Sequence, residues 1–512
     1  MVRLPDPLWT VLQMSPRTTI LVPAALATIV ASRAFAQVPP AARPEPTQAL
    51  VELFNQQDAI QRQEFLAGTP ISERVLLDVG GSFRFGWNYI DDTFGNTSQL
   101  QQLDSRWYAR AELDGVHRFY GRIRLWYNEW DSNNVAAPPN EDGWTVPIGE
   151  LYWYELDLGG AMVNGGGKRS DLDLKLRGGR QYIVWGQGLT LSTYMYAGTF
   201  DWTIGQVNIQ GLAGVTSGND TIDFDTSRPG YDTDTDRAYY GLKAEWRRGQ
   251  DLVPYCFALL QQDGNAGQED VLLDGFAPGG GGYPTEFDYE SQYYGIGATG
   301  SLGRNWQWRA EGVYETGTTL SSSISPTGTV LPQVEDDISA WAGVVGLQRS
   351  FDDRAQTRFD LQAILGSGDA GRLDSGNTFG GPQPGQVDKE FNSNGFLYTG
   401  YVFAPSPANL WTNSLGLSGN WLSQWRAFRD MRLGVTGFTY MRLDSEAPIT
   451  AFVDKGGSSW VGWEIDASID WRILSDVNLQ FLYGAFFPNE EIFPDNQEDL
   501  RQFIYGGVTY AF

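Results

Sequence analysis

The end of the chain carries the pattern that decides the fold. Residues 460–472 have the sequence WVGWEIDASIDWR, and residues 501–512 have the sequence RQFIYGGVTYAF. In both stretches apolar residues alternate with polar or small ones, and reading back by twos from Phe512 gives Tyr510 and Val508. Successive side chains of a β-strand point to opposite faces, so strands with this alternation have one apolar face and one polar face.

The same alternation recurs along the chain, beginning at residues 75–89. There the predicted outward set is Val75, Leu77, Val79, Phe83, Phe85 and Trp87, and the predicted inward set is Asp78, Ser82, Arg84 and Asn88. A soluble β-sandwich also alternates, but it needs no aromatic residue at each strand end. We therefore predict an all-β fold, a transmembrane antiparallel up-and-down β-barrel whose apolar face contacts lipid and whose polar face lines a lumen.

Counting the alternating segments predicts about 18 strands, an even number that is typical of single-chain outer-membrane barrels. The connections between these segments alternate in length. The short turns fall near 115–117, 248–250, 303–304 and 474–476, and the long polar insertions are 131–147, 217–236, 262–289, 317–337, 367–408 and 444–459. Short turns at one end and long loops at the other indicate a periplasmic and an extracellular side.

The N-terminus indicates export. Arg3 and Arg17 precede an apolar segment, residues 20–30, and the small-x-small pattern Ala34-Phe35-Ala36 follows it. This segment is too short to anchor the chain in a bilayer, and its flanks are typical of a secretory signal peptide. We predict a signal peptide over 1–36, a periplasmic N-terminal segment over 37–73, and an outer-membrane barrel over 74–512 with both termini in the periplasm.

Composition excludes several classes of function. The chain has 62 acidic and 36 basic side chains, a net charge of −26, which argues against a nucleic-acid partner. It has one cysteine and one histidine, His117, which falls in a predicted turn, so Cys/His metal clusters and His-dependent hydrolysis are excluded. The 61 Gly, 19 Trp, 24 Tyr and 27 Phe suit a barrel with interfacial aromatic girdles. We predict that the protein is not an enzyme and has no cofactor.

Two groups of carboxylates require an interpretation. Glu464 and Asp466 are a conceivable acid/base pair, but we expect alternate residues of a strand to line water. The second group, in a predicted external loop, is Asp220, Asp223, Asp225, Asp232, Asp234 and Asp236. Spaced carboxylates suit Ca²⁺, but Arg237 and Lys243 stand where an EF-hand would have Gly and Glu. We therefore favour a solvated acidic loop without a metal.

Basic residues concentrate on the predicted lumen faces, although the chain as a whole is acidic. They are Arg84, Arg110, Arg122, Arg124, Lys175, Arg177, Arg309, Arg358 and Arg472. One interpretation is that arginines and carboxylates of neighbouring strands pair and hold the barrel in register. The other is that unpaired arginines form a constriction that attracts an anion. Arg84, Arg110, Arg122 and Arg124 are the expected excess, because they lie on three consecutive strands.

Several segments resemble the alginate export family of outer-membrane porins. The stretch LRGGRQ, residues 176–181, is similar to that family's strand ending in Gly-Arg-Gln, and it adds Arg180 to the predicted lumen set. Further similar blocks are 200–202 with 211–215, 395–421, and 462–466 with 484–488. The resemblance covers about half of the predicted barrel by the order and spacing of these motifs.

The resemblance implies a monomeric barrel of about 18 strands that carries an acidic polysaccharide, alginate or a similar polymer, through an arginine-rich lumen. A general or small-anion porin is one alternative. A structural or adhesive barrel that displays acidic loops is another. The expected partners are outer-membrane lipid, an anionic polysaccharide or small anion, and the barrel-insertion machinery, which would recognise the terminal Phe512.

Overall fold

The computed structural model describes residues 74–512 apart from short gaps. The gaps are residues 92–96, 132–141, 168–171, 219–221, 234, 248, 250, 452, 454–455 and 494–498. The predicted signal peptide and N-terminal segment lie outside the described residues, so the cleavage site stays a prediction.

The strands and helices have the following bounds. The strands are β1 Val75–Asp91, β2 Thr97–Leu113, β3 His117–Asp131, β4 Gly143–Trp144, β5 Ile148–Asp157, β6 Leu172–Trp185, β7 Leu191–Ile204, β8 Val207–Thr216, β9 Arg237–Trp246, β10 Val253–Asp263, β11 Glu269–Leu272, β12 Tyr283–Glu286, β13 Tyr289–Leu302, β14 Trp306–Leu320, β15 Glu335–Ser350, β16 Arg358–Gly366, β17 Leu410–Gly419, β18 Met431–Arg442, β19 Trp460–Arg472, β20 Val477–Pro488 and β21 Arg501–Ala511. The helices are α1 Leu158–Asn164 and a 3₁₀-helix, Arg426–Phe428.

Eighteen of these strands form a closed ring, in which each strand pairs antiparallel with its neighbours in the chain. β1 pairs with β21, from Ser82 opposite Ala511 to Ile90 opposite Phe503, and this pairing closes the barrel. The three strands outside the ring are β4, which extends the edge of β3, and the hairpin of β11 with β12. The predicted up-and-down barrel of 18 strands is confirmed. None of the described helices is long and apolar enough to cross a bilayer.

The two faces of the barrel wall have opposite chemistry, as β1 shows. Val75, Leu77 and Val79 are each 66% exposed on the outer face. Asp78 and Arg84, on the inner face of the same strand, are buried. A water-soluble sheet would bury the apolar face, so this wall is built to contact lipid. The alternation predicted from residues 75–89 is confirmed side chain by side chain.

The terminal aromatic lies on the outer face at the seam of the barrel. The ring of Phe512 lies 5.6 Å from that of Phe83 and 5.1 Å from that of Trp107. Its carbonyl oxygen accepts a 2.9 Å hydrogen bond from the Gly81 amide. Phe512 therefore joins the last strand to the first two. Its recognition by the insertion machinery stays a prediction.

The interior is partly filled. The connection between β6 and β7 and the 367–409 loop between β16 and β17 both enter the barrel, where Leu189 and Phe391 join a buried cluster of wall residues. This cluster includes Tyr239, Tyr255 and Tyr293 from β9, β10 and β13. The connections at the opposite, periplasmic end are short turns, such as residues 114–116 and 303–305. The loops therefore narrow the lumen from the extracellular side and leave its periplasmic end more open.

Candidate functional site

Two wall carboxylates hold the inward loops by their backbone. Glu311 accepts hydrogen bonds from the Gln187 amide at 2.8 Å and from the Tyr255 hydroxyl at 2.6 Å. Glu315, four residues along β14, accepts from the Asn392 amide at 3.0 Å and the Tyr289 hydroxyl at 2.7 Å. Each of these carboxyl groups joins a loop amide and a wall tyrosine, and so fixes where the loop runs.

A third wall carboxylate holds the C-terminal part of the 367–409 loop, and we call this contact the clamp. Glu464 on β19 accepts from the consecutive amides of Tyr401, Val402 and Phe403 at 2.7, 2.8 and 2.9 Å. Gly400, with φ +124°, makes this approach possible, because a Cβ there would lie 2.7 Å from the Glu464 carboxylate. Asp466 accepts from the Tyr401 amide at 3.1 Å. The expectation that Glu464 and Asp466 line water was wrong, since both are buried beneath the loop.

The predicted solvated acidic loop is only partly solvated. Asp232 and Asp236 are exposed, and Asp220 and Asp234 lie outside the described residues. Asp223 is instead buried, with its carboxylate 2.8 Å from the Arg237 guanidinium, and Asp225 is buried against Thr378 of the 367–409 loop. Burial raises the pKa of Asp225. Within the described residues no group of acidic, His or Cys side chains could hold a metal ion. Asp225 therefore joins its loop to the 367–409 loop, and Asp223 fixes the same loop to the start of β9.

The 367–409 loop also carries its own buried charges. Arg372 pairs with Asp388 at 2.6 Å and with Glu390 at 3.2 Å. Burial raises the pKa of Glu390 to about 8 and that of Asp374 to about 6, although Arg372 opposes both shifts. Compared with the unfolded chain, the folded loop therefore shifts both carboxyl groups toward the neutral form.

Four arginines meet near the middle of the wall formed by β1, β2 and β3. The Asp104 carboxylate forms ion pairs with Arg84, Arg124 and Arg106 at 3.2, 2.9 and 3.3 Å. The Glu150 carboxylate forms ion pairs with Arg122 and Arg106 at 2.6 and 3.4 Å. We call these six residues the mid-wall cluster. Four guanidinium groups share two carboxylates, so the set has an excess of positive charge, but each arginine is ion-paired.

Three members of the mid-wall cluster were not in the predicted set. Arg106 and Asp104 follow from the alternation of β2, because they lie two and three alternate positions before Arg110 on the same face of the strand. Glu150 could not be found by alternation, because the pairing of β3 with β5 shifts register at Arg122 and Ile123: Leu151 is opposite Arg122 and Gly149 is opposite Ile123. Glu150 is the extra residue of this bulge, which brings its carboxylate to Arg122.

Arg110 does not belong to the mid-wall cluster, with which it was predicted to converge. It lies closer to the periplasmic end and contacts Glu112 at 3.4 Å. Nearby, Glu155 pairs with Arg118 at 2.6 Å and also with Arg177. Arg118, Glu155, Lys175 and Arg177 line a cavity of about 440 Å³. The structure thus places Arg110, Lys175 and Arg177 on the lumen side, in mixed-charge surroundings.

Arg180 was predicted to line the lumen, but the structure places it on the outer side of the wall. In register it lies between Tyr152 of β5 and Tyr196 of β7, and directly opposed residues share a face of a sheet. Both tyrosines are exposed on the outer wall, 44% and 42%, whereas Arg180 is 5% exposed and its guanidinium lies 5.6 Å from the Tyr196 ring. Simple alternation from the outward Leu176 places Arg180 outward, so the family motif misassigned it to the lumen.

A second group of arginines surrounds the larger opening at the periplasmic end. We call this cavity, of about 980 Å³, the vestibule. Its basic residues are Arg309 on β14, Arg358 on β16 and Arg432 on β18. Arg358 pairs with Asp360 at 2.7 Å, and both side chains are exposed. Arg472, also predicted for the lumen, ends β19 and donates to the Ser475 carbonyl at 3.0 Å, outside the vestibule lining.

Arg309 and Arg432 differ from the other lumen arginines in their partners. Arg309 donates to the side-chain oxygen of Gln362, and Arg432 donates to the Ser418 hydroxyl at 2.8 Å. In the described part of the chain, neither makes a salt bridge. Arg432 was missed by the prediction, although it alternates with the outward Leu433. The vestibule therefore presents two half-buried guanidinium groups whose hydrogen-bond partners are neutral.

Comparisons with known proteins agree with the barrel. The family model for alginate export matches residues 153–500. The outer membrane protein OpdK of Pseudomonas aeruginosa is 10% identical, with 85% of this chain and 98% of that chain covered and a TM-score of 0.50. OccK2 (OpdF) of the same organism is 12% identical, with coverage of 85% and 97% and a TM-score of 0.49. OccAB1 of Acinetobacter baumannii is 10% identical, with coverage of 85% and 96% and a TM-score of 0.48.

These likenesses differ in what they establish. A search among curated proteins found no match. At such low identity, the likeness to OpdK concerns the fold alone. The alginate export model spans more than half of the chain and includes most of the barrel strands. Together with the closed ring of 18 strands, it shows that this protein is a channel of the outer membrane and belongs to the alginate export family.

Proposed function

We propose that the barrel conducts anions, foremost an acidic polysaccharide of the alginate type, and that the vestibule is where the anion first binds. The observation that carries this proposal is the pair Arg309 and Arg432, which face a cavity of about 980 Å³ and whose hydrogen-bond partners in the described part of the chain are neutral. A guanidinium group binds a uronate carboxylate through two parallel hydrogen bonds. A carboxylate is a stronger acceptor for it than an amide or a hydroxyl.

The carboxylates of the wall do not oppose this role as strongly as the sequence suggests. Glu311, Glu315 and Glu464 accept hydrogen bonds from backbone amides of the inward loops. Asp104 and Glu150 are committed to the mid-wall cluster. The negative net charge of −26 includes many residues of the external loops. Charges in loops act weakly across distances beyond a Debye length of about 8 Å in physiological salt.

The inward loops favour a second candidate, a porin for small anions. The β6–β7 connection and the 367–409 loop occupy part of the lumen, and a narrowed lumen suits a small solute. Both candidates use the same arginines. They differ in the dependence on ligand length: oligouronates should block the ion current more strongly as they lengthen if a polymer is the substrate, and should lose effect if only small anions enter.

Reversal potentials in planar bilayers under a salt gradient test the proposal. We expect anion preference in the wild type and a marked loss of it in Arg309→Gln/Arg432→Gln. The matched control is Arg304→Gln/Arg354→Gln, which removes two exposed arginines from periplasmic turns and should leave the preference unchanged. Cation preference in the wild type, or an equal change in the control, would contradict the proposal.

A further inference from the structure

The turn between β17 and β18, residues 420–430, folds back onto the outer wall at the periplasmic end. The ring of Phe428 packs 5.2 Å from that of Trp471, and the Trp471 indole N–H donates to the Ala427 carbonyl at 3.1 Å. Trp471 continues the outward series of Ile465 and Ile469 along β19, whose side chains are exposed to the membrane side. The turn therefore lies at the lipid-facing rim and not over the lumen.

Neighbouring segments hold this turn in place. The Asn420 amide donates to the Ala355 carbonyl at 2.6 Å, and the Trp421 indole N–H donates to the Thr357 hydroxyl at 3.2 Å. At its other end the Arg472 amide donates to the Asp430 carbonyl at 3.3 Å. These contacts to the adjacent turn and to β19 make the 420–430 turn an ordered feature of the rim.

The side chains that the turn presents combine aromatic rings with positive charge. Trp425 is 54% exposed and lies 6.4 Å from the Phe428 ring. Arg426 and Arg429 flank Phe428, and both are exposed. Within the described residues neither guanidinium makes an ion pair or a side-chain hydrogen bond. One carboxylate, that of the exposed Asp430, lies in the turn, so the two cations are in excess there.

We propose that residues 420–430 form a binding site for an anionic phospholipid of the periplasm-facing leaflet. At the edge of a bilayer, tryptophan places its apolar body beside the acyl chains and its N–H among the head groups. Guanidinium groups just outside that level bind phosphate oxygens through two hydrogen bonds. In this site Trp425 and Phe428 contact the upper acyl chains, and Arg426 and Arg429 hold the phosphate.

The charge of the site selects an anionic over a zwitterionic lipid. Among the described residues neither guanidinium group has a carboxylate in salt-bridge contact, so a head group with net negative charge neutralises them. A zwitterionic head group brings its own cation close to these arginines and reduces the attraction. This inference does not depend on what passes through the lumen, because the turn lies on the opposite face of the wall.

Native mass spectrometry of the full-length barrel in detergent tests this site. At equal concentrations of phosphatidylglycerol and phosphatidylcholine, the wild type should retain several-fold more phosphatidylglycerol. Arg426→Gln/Arg429→Gln should lose that preference, and Arg304→Gln/Arg354→Gln, with the same charge change on other periplasmic turns, should keep it. Absence of a preference in the wild type, or its persistence in Arg426→Gln/Arg429→Gln, would overturn the proposal.

Two further measurements distinguish lipid binding from the binding of a phosphate group alone. Trp425→Ala should lower retention of phosphatidylglycerol, while heat-modifiable migration on gels confirms that the barrel is folded. Soluble glycerol phosphate should compete poorly, because it lacks the acyl chains that the two rings contact. Full competition by glycerol phosphate together with unchanged retention in Trp425→Ala would show a surface anion site and contradict lipid docking.

Discussion

The mid-wall cluster and the vestibule both contain arginines of the inner wall, but these arginines differ in their partners. In the mid-wall cluster three arginines converge on Asp104, and Arg84, Arg106 and Arg122 are between 5% and 8% exposed. In the vestibule Arg309 and Arg432 are half-buried and bind an amide and a hydroxyl. Among the described residues no carboxylate lies within salt-bridge distance of these two guanidinium groups, although Asp470 is opposite Arg432 in the β18–β19 register and Asp360 also lines the vestibule. It is this lack of a direct ion pair that leaves the two arginines available to a ligand.

The largest expected effect comes from breaking the mid-wall cluster. Asp104→Asn keeps the shape of the side chain but leaves three buried guanidinium groups without their shared charge. Removing one partner of a buried ion pair costs about 3–5 kcal/mol, so the midpoint of chemical unfolding should fall clearly. Asp360→Asn is the matched control, because its pair with Arg358 is exposed and contributes at most about 1 kcal/mol. Similar midpoints for the two variants would refute the distinction.

A smaller effect is expected at the clamp on the 367–409 loop. Glu464→Gln replaces one of the two oxygens that accept from three loop amides by an amide nitrogen, and a buried donor left without its acceptor costs about 1–3 kcal/mol in loop docking. Single-channel recordings should show larger or more frequent openings. Glu269→Gln, which removes an exposed charge from the external hairpin, should leave the recordings unchanged. A change of ion selectivity without a change of conductance would show that Glu464 faces the pore.

The vestibule should respond in the opposite way to the mid-wall cluster. Arg309→Gln/Arg432→Gln removes two hydrogen bonds to neutral partners, each worth about 0.5–1.5 kcal/mol, so the free energy of unfolding should fall by about 1–3 kcal/mol in total. Arg122→Gln, which breaks a buried contact with Glu150, should cost more in the same unfolding experiment. Equal destabilisation by these two variants would show that the vestibule arginines are also structural.

The smallest expected effect is a pH dependence of loop docking. Burial raises the pKa of Asp374 to about 6 and that of Glu390 to about 8, so the docked loop binds more protons than an undocked one. Stability from these groups is present at low pH and is lost as pH rises, so opening events should increase from about pH 5 to about pH 9. Glu390→Gln should flatten the dependence. An increase toward low pH would have the wrong sign.

Much of the fold was predictable because lipid imposes a simple rule on each strand. The alternation in residues 75–89 and 460–472 predicted the outer and inner faces correctly, and the count of about 18 strands matched the ring. The same rule placed Arg84, Arg122 and Arg309 on the inner wall. The same rule places Arg180 outward, in agreement with the structure and in contrast to the family motif.

The partners of those residues were not predictable, because they depend on strand register and on loop paths. The bulge opposite Arg122 brings Glu150 into the mid-wall cluster, and nothing local in the sequence marks it. The clamp at Glu464 requires residues 401–403 to return across the barrel to β19, more than 60 positions away in the chain. Alternation alone therefore predicts that Glu464 lines the pore, and it does not predict Glu150 at all.

The sequence by itself determined the barrel and its two faces, since both follow from the period of two within single strands. Only the tertiary structure decided which arginines are neutralised, which carboxylates hold loops and which cavity offers guanidinium groups to a ligand. The physical reason is that ion pairs and amide clamps join residues on different strands and loops. Their charges meet only after the ring has closed and the loops have entered it.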